Sequence, residues 1–122
     1  MSSFYVTYPG FENHSLALPG HKSIKVGIFK GKHNGQKYVN KRYGQSTLHL
    51  CVYKPDIDFE SMKTIEKLVL TGLEEADFSK QHGKREHFII PNSKTRRKEF
   101  VTTVNMLYAV YCAASGFIKD SH

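Results

Sequence analysis

Residues 57–76, IDFESMKTIEKLVLTGLEEA, carry the clearest helical pattern in the chain. At about 100° per residue, the apolar side chains of this stretch gather on one arc of a helix surface. They are Phe59, Met62, Ile65, Val69, Leu70 and Leu73. Asp56 or Asp58 can cap the first turn, and Gly72 weakens the helix without ending it. The pattern predicts an amphipathic helix over residues 57–76 that packs on a core.

Glu66 interrupts this pattern because it falls inside the apolar arc, four residues after Met62 and three before Val69. Burying an ionised carboxylate without a partner is costly. Two interpretations remain open. Either Glu66 lies at the edge of the arc, where it reaches solvent or pairs with Lys63 or Arg42, or it is a metal-binding carboxylate that faces a cleft.

Three segments before this helix have the composition of β-strands. They are residues 4–8 (FYVTY), 23–29 (SIKVGIF) and 47–53 (TLHLCVY). Residues 30–44 are expected to hold a loop and one short helix or irregular turn. Gly27 stands in the middle of the second strand, where glycine indicates either a bulge or the close approach of another group.

The part of the chain after the helix contributes a short strand-like segment and a second long helix. Residues 86–90 (EHFII) stop at Pro91, and Asn92 or Ser93 can cap a helix over residues 93–114. The order of elements predicts an α+β fold with a small three-stranded antiparallel sheet packed by helices and a long C-terminal helix. With 122 residues, a single domain over 1–122 is expected, with a core at 4–90 and the C-terminal helix and tail at 91–122.

Charge is the most informative bulk property of the chain, which has 18 Lys and Arg against 11 Asp and Glu and a net charge of +7. Such an excess favours association with polyanions. One basic cluster is interleaved with Tyr38 and Tyr43 and comprises Lys30, Lys32, Lys37, Lys41 and Arg42. A second comprises Lys94, Arg96, Arg97 and Lys98, where cations oppose the dipole of the last helix. Each cluster is either a solvated basic face or a nucleic-acid contact.

Other classes of function lack their sequence signals. No apolar run approaches the roughly 20 residues that span a bilayer, and the N-terminus lacks the features of a signal peptide, so we expect an intracellular protein without a membrane partner. Cys51 and Cys112 have neither metal-ligand spacing nor a disulfide framework and are expected to be buried free thiols. No histidine pair has metal-ligand spacing, and no P-loop, dinucleotide fingerprint or nucleophile elbow is present.

Several short motifs, taken in order, resemble the GIY-YIG nuclease superfamily. FYVTY and the Lys25-Val26-Gly27 triplet stand where the two halves of the family name lie, and NKRYG supplies Arg42 in the place of the family arginine. TIEKLVL supplies Glu66 in the place of the metal-binding glutamate, and REHF at 85–88 looks like the ending of a phage and large-virus branch that often has Lys-Ile-Gly instead of Tyr-Ile-Gly. The resemblance covers residues 4–90.

The resemblance implies metal-assisted hydrolysis of phosphodiester bonds. In this mechanism Glu66 would bind Mg²⁺ or Mn²⁺, and Arg42 would clamp the scissile phosphate. Tyr5 or Tyr8 would position or deprotonate the attacking water, with Lys25 or Lys22 lowering the pKa of the phenol. The expected nucleic-acid contacts are Lys22, Lys30, Lys32, Lys37, Lys41, Arg96 and Arg97.

Three functions are compatible with these residues: a DNA endonuclease, a module of the same fold that binds DNA or RNA without cleavage, and a protein-interaction domain with an acidic partner. The branch resembled implies the cytoplasm or nucleus of a virus-infected cell. Substrate structure, the choice between DNA and RNA and the oligomeric state are not determined by these patterns.

Overall fold

The computed structural model describes residues 1–10 and 19–120, with side chains up to residue 114, as an open antiparallel sheet with three helices. In chain order the elements are β1 (Ser2–Tyr8), β2 (His21–Lys30), α1 (Gly35–Tyr43), β3 (Thr47–Lys54), α2 (Phe59–Glu75), β4 (Ser79–Lys80), β5 (His87–Pro91) and α3 (Lys94–Asp120). No helix in this described part of the chain combines the length and the apolarity needed to cross a membrane.

The sheet has five strands in the order β3-β1-β2-β5-β4, and every neighbouring pair is antiparallel. The α+β class and the long C-terminal helix are confirmed, but the prediction of three strands is wrong. The segment near residue 90 pairs with the first half of β2, and Ser79–Lys80 pairs with the outer edge of that segment. These two strands are short, so their place in the sheet is decided by long-range pairing rather than by their own composition.

The two faces of the sheet have different cores because strand side chains alternate with a period of two. Residues such as Phe4, Val6 and Val26 face the main core, which they form together with α2 and α3. Tyr5 and Phe29 face the other way and form a smaller core with α1. Adjacent residues of β1 therefore belong to different halves of the molecule.

Helix α2 is held by a cap and by its apolar arc. Asp58 is the residue that caps it, since its Oδ1 accepts a hydrogen bond of 2.7 Å from the backbone N–H of Ser61. Gly72 lets α3 approach, because a Cβ there would lie 2.9 Å from a methyl carbon of Leu107. Ser93 caps α3, which continues past the predicted end at residue 114 to Asp120.

Both cysteines are free, in agreement with the sequence. Cys51 is exposed and Cys112 is only partly buried, so the expectation that both thiols are buried is wrong. Cys51 points to the α1 side of β3, where α1 covers the sheet only in part, as shown by the close approach of its Sγ to Gly35.

Gly27 marks a close approach and not a bulge. It lies opposite Tyr5 in the pairing of β1 with β2, and a Cβ at residue 27 would lie 2.4 Å from both Cζ and Oη of that tyrosine. The one irregularity of register in β1 falls elsewhere, between Val6 and Thr7 in its pairing with β3. The glycine therefore gives the Tyr5 ring room to lie across β2.

We predict that Gly27→Ala lowers the free energy of unfolding by about 1–3 kcal/mol, because the added methyl group displaces a fully buried ring. Urea denaturation of the parent and the variant measures the change. Lys30→Ala, at the exposed end of the same strand, is the control and should alter stability by less than about 0.5 kcal/mol. A Gly27→Ala protein as stable as the parent would contradict the close packing.

Candidate functional site

A cleft of about 850 Å³ opens beside β2 at the point where its pairing with β5 stops. β5 pairs with His21 to Lys25, and the backbone N–H of Val26 donates to the carbonyl oxygen of Glu86 at 3.0 Å. From residue 27 onward, no described strand covers that edge of β2. Side chains from both faces of the sheet therefore reach the cleft, among them Ile28 from the core face and Lys25 from the opposite face.

The phenol of Tyr5 belongs to a hydrogen-bonded chain that ends at Arg42. The Oη atoms of Tyr5 and Tyr43 lie 2.9 Å apart, and Nε of Arg42 donates to Oη of Tyr43 at 3.0 Å. A longer contact of 3.5 Å joins Arg42 to the hydroxyl of Tyr38. Tyr5, Tyr38 and Arg42 line the cleft, whereas Tyr43 is buried behind them.

These contacts shift two pKa values upward. Burial, followed by the neighbouring Tyr43, raises the pKa of Tyr5 far above its ordinary value, so this phenol keeps its proton. The surrounding phenols, Tyr43 foremost, raise the pKa of the Arg42 guanidinium. The net shift of the Tyr5 pKa is thus upward, whereas a lowered pKa of the phenol was expected.

Glu66 lies in the cleft and is only 8% exposed, which confirms that it points inward. Its carboxyl group hydrogen-bonds to that of Glu86, and Glu86 also accepts a hydrogen bond from the buried ammonium of Lys25. Burial and the negative charge of Glu86 raise the pKa of Glu66 to about 7, against the opposing effect of Lys25. Lys63, one of the two cations expected to pair with Glu66, pairs with Glu60 instead.

Glu86 and Tyr43 make the polar contacts of this site, but the sequence did not assign either of them to it. In the sequence, Glu86 belongs to a short terminal motif, and Tyr43 is an aromatic neighbour of basic residues. The adjacency of Tyr43 to Arg42 was a usable signal, since neighbouring residues in the last turn of a helix can share a hydrogen bond. Nothing local in the sequence indicated that Glu86 would meet Glu66.

The charge of the cleft is strongly positive. Of the residues that the structure describes, seven basic side chains line it, compared with two carboxylates, Glu66 and Glu86. The basic residues are Lys25, Lys30, Arg42, Lys63, Lys67, Lys80 and Arg85. A concave surface with this balance concentrates anions, and phosphate groups in particular.

Tyr8 and Lys22 lie outside the cleft, on the face of the sheet opposite to that of Tyr5. Tyr8 is buried in the main core, where its ring meets the His49 ring edge-on at a centroid distance of 4.6 Å. Lys22 lies over the Tyr8 ring at 5.5 Å. Because Tyr8 is three residues from Tyr5, the alternation of the strand directs it away. Tyr5 is thus the only one of the two phenols in the cleft.

The predicted nucleic-acid contacts divide into two groups. Lys30 lines the cleft, and Lys32, Lys37 and Lys41 line a second groove beside it. Arg96 and Arg97 lie in neither and have contacts within the protein. Arg96 covers the Phe78 ring at 4.2 Å and pairs with Glu99, and Arg97 donates to the side chain of Asn92 at 2.8 Å.

Comparison with protein-family models, with curated proteins and with solved structures finds no match for this chain. Function must therefore be inferred from the cleft itself. Within the described residues, no group of three or more His, Cys, Asp or Glu side chains is arranged to hold a metal ion. Any cation here would share the Glu66 and Glu86 carboxylates with oxygen atoms of a ligand or of water.

We predict that Glu66 makes stability fall as pH rises. The unfolded chain releases this proton near the ordinary pKa of 4.5, whereas the folded protein holds it until about 7. The contribution of Glu66 to the free energy of unfolding is therefore complete below pH 4.5 and is lost as pH rises through 7. Relative to Glu66→Gln, the parent should lose roughly 1–3 kcal/mol across this range.

Urea unfolding at several pH values, with EDTA present, measures this difference. Glu60→Gln is the matched control, because Glu60 lies on the same helix with its side chain 82% exposed, and it should retain the pH dependence of the parent. Identical pH profiles for the parent and Glu66→Gln would rule out the shifted carboxyl group.

Proposed function

We propose that this chain is a metal-dependent endonuclease of the GIY-YIG type, which hydrolyses phosphodiester bonds in DNA. One observation carries the proposal: Tyr5, Arg42 and Glu66 line the same cleft although they come from β1, α1 and α2. Residues so far apart in sequence converge only through the fold. A phenol, a guanidinium group and a carboxylate are groups that can hold and orient a phosphate and stabilise the charge that develops on it during hydrolysis.

The order of the elements supports the same proposal. A tyrosine lies on the first strand, a glycine on the second, an arginine on the helix that follows, and a glutamate on the helix after the third strand. Gly27 and Tyr5 are in contact across β1 and β2, so the two halves of the motif meet in space. Lys25 takes the place of the second tyrosine.

The Glu66–Glu86 pair fits a divalent cation such as Mg²⁺ or Mn²⁺. Two carboxyl groups that share a hydrogen bond are close enough to ligate one ion, and Mg²⁺ is often held by one or two carboxylates together with phosphate oxygens. When bound, such a cation would stabilise the negative charge that develops on the phosphate and the leaving oxygen. Lys25 orients Glu86 through their ion pair.

Arg42 is the phosphate-binding group of the proposed site. Its Nε is engaged by Tyr43, which fixes the guanidinium plane, while the side chain remains exposed in the cleft. The terminal nitrogens, of which Nη1 also makes the long contact with Tyr38, form a fork that suits two phosphate oxygens. Positive charge from the neighbouring lysines draws the polyanion in.

Tyr5 orients the attacking water rather than removing its proton. Its raised pKa keeps the phenol protonated, so it donates or accepts hydrogen bonds as a neutral group. In the overall reaction the water oxygen bonds to phosphorus, the ester P–O bond breaks, and the departing oxygen ends as a hydroxyl group. Tyr43 holds Tyr5 and Arg42 in register for this step.

A second candidate function is nucleic-acid binding without cleavage. The Lys25–Glu86 ion pair favours it, because a built-in cation already partners one of the two carboxylates. The raised pKa of Tyr5 also favours it, because a protonated phenol is a poor base. Under this alternative the protein binds DNA or RNA in a salt-sensitive manner and has no need of a metal.

Incubation with supercoiled plasmid, branched DNA and RNA, with Mg²⁺, Mn²⁺ or EDTA, tests the proposal. We expect metal-dependent nicking by the parent and at least about a 100-fold loss in Glu66→Gln and Arg42→Ala. Glu60→Gln should nick normally. Nicking by Glu66→Gln at the parent rate would refute the mechanism. Tight binding by the parent with no nicking under any metal would support nucleic-acid binding without cleavage instead.

Tyr43→Phe should lower the nicking rate by about 10- to 100-fold, because both Tyr5 and Arg42 lose the oxygen that holds them. DNA affinity, measured with EDTA, should change little. Tyr111→Phe on α3 removes a hydroxyl group outside the cleft and serves as the control. An unchanged rate in Tyr43→Phe would mean that this hydroxyl group does not position the site.

A further inference from the structure

A second groove, of about 830 Å³, runs along α1 and joins the cleft. Its lining is Lys32, His33, Asn34, Lys37, Tyr38, Lys41 and Arg42. Three of these residues, His33, Tyr38 and Arg42, also line the cleft, so the two depressions are continuous. Among the described residues, no carboxylate belongs to the lining of this groove, in contrast to the cleft.

Aromatic rings stand at the junction of the groove and the cleft. The Tyr38 ring stacks on Phe29 at a centroid distance of 4.2 Å, and the His33 ring lies 5.3 Å from Phe29. His33 and Tyr38 are 6.4 Å apart with planes only 16° from parallel. Phe29 is buried, but His33 is exposed and Tyr38 is half-buried. Tyr38 packs on the smaller core through its contacts with Phe29 and Tyr5 but stays partly accessible, and the ring of His33 is exposed beside it.

The stability of α1 accounts for Lys41, which lies in the last turn, where a cation is favourable, but not for Lys37, which lies in the first turn. Lys37 and Lys41 are four residues apart on the helix, so they lie on one side about 6 Å apart along its axis and repel each other. The first turn of α1 contains no acidic residue to compensate. A bound anion that lies near both lysines would relieve this repulsion.

We propose that this groove takes an unpaired stretch of nucleic acid and leads it into the cleft. The phosphates lie along Lys37 and Lys41, and one base stacks on the rings of His33 and Tyr38. Only the fate of the strand in the cleft rests on the proposed nuclease function. The substrate class is then DNA with a gap, flap or branch rather than continuous duplex.

The rings decide between unpaired and paired nucleic acid. A base inside a duplex is covered on both faces by its neighbours, so it cannot stack on a protein ring, whereas an unpaired base offers a free face. The rings also argue against an acidic protein segment, which would satisfy the lysines and leave the aromatic faces unused. Charge and stacking together fit single-stranded nucleic acid.

Fluorescence anisotropy with two labelled probes tests this inference, with EDTA present so that no probe is cut. One probe is a fully paired duplex, and the other has the same sequence with a short single-stranded gap. We expect the parent to bind the gapped probe at least about tenfold more tightly. His33→Ala and Tyr38→Leu should lose this preference, while their affinity for the duplex stays within about twofold of the parent.

Matched controls separate stacking from charge. His21→Ala makes the same substitution at the other end of β2, far from the groove, and should keep the preference. The double substitution Lys37→Ala and Lys41→Ala should weaken the binding of both probes. It should also reduce the salt dependence of the binding constant by an amount that corresponds to about two phosphate contacts. Polyglutamate of equal charge should compete far less well than single-stranded DNA.

Equal binding of the two probes by the parent overturns the inference, as does an equal loss for both probes in His33→Ala and Tyr38→Leu. Competition by polyglutamate as strong as that by single-stranded DNA also overturns it. A parent that prefers the gapped probe but never nicks DNA would remove the nuclease proposal and leave the groove assignment standing. Nicking with no preference for gapped DNA would remove the groove assignment and leave the nuclease proposal standing.

Discussion

β5 pairs with only half of β2, and the candidate site exists because of that difference in length. Pairing ends at Lys25, so β2 continues to Lys30 with one edge uncovered. At a covered edge the sheet would separate Tyr5 and Lys25 on one face from α2 on the other. At the open edge the side chain of Glu66 meets groups from the opposite face, and the hydrogen bond of Val26 to Glu86 brings the second carboxylate to the same point.

Buried charge gives this meeting point its chemical character. The carboxyl group of Glu66 and the ammonium group of Lys25 are buried beside the half-exposed carboxylate of Glu86, and such a cluster costs stability unless its members satisfy one another. The neighbouring phenols and Arg42 form a second polar network supported by Gly27, which leaves room for the Tyr5 ring. Together these networks make the cleft the one place among the described residues where acid, base and phosphate-binding groups meet.

Part of this arrangement followed from local pattern. The apolar arc of α2 marks Glu66 as an exceptional carboxylate, and the composition of β2 marks Gly27 as an exceptional glycine, but only the structure decides for the inward direction of Glu66 and the close approach at Gly27. The number of strands in the sheet did not follow, because the two residues of β4 have too little composition of their own and nothing in the strand-like segment of β5 shows which strand it pairs with. The choice between Tyr5 and Tyr8, both aromatic residues on one strand, required knowledge of which face met α1.

The sequence by itself determined the α+β class, the two long helices, the basic character and the place of Glu66 within the apolar arc of α2, since each depends on periodicity or composition. Tertiary structure alone decided that Glu86 partners Glu66, that Tyr43 joins Tyr5 to Arg42, and that Arg96 and Arg97 lie outside the cleft. These relations join residues from elements that meet only through strand pairing and helix packing. Their distances depend on the whole fold, and no local pattern contains them.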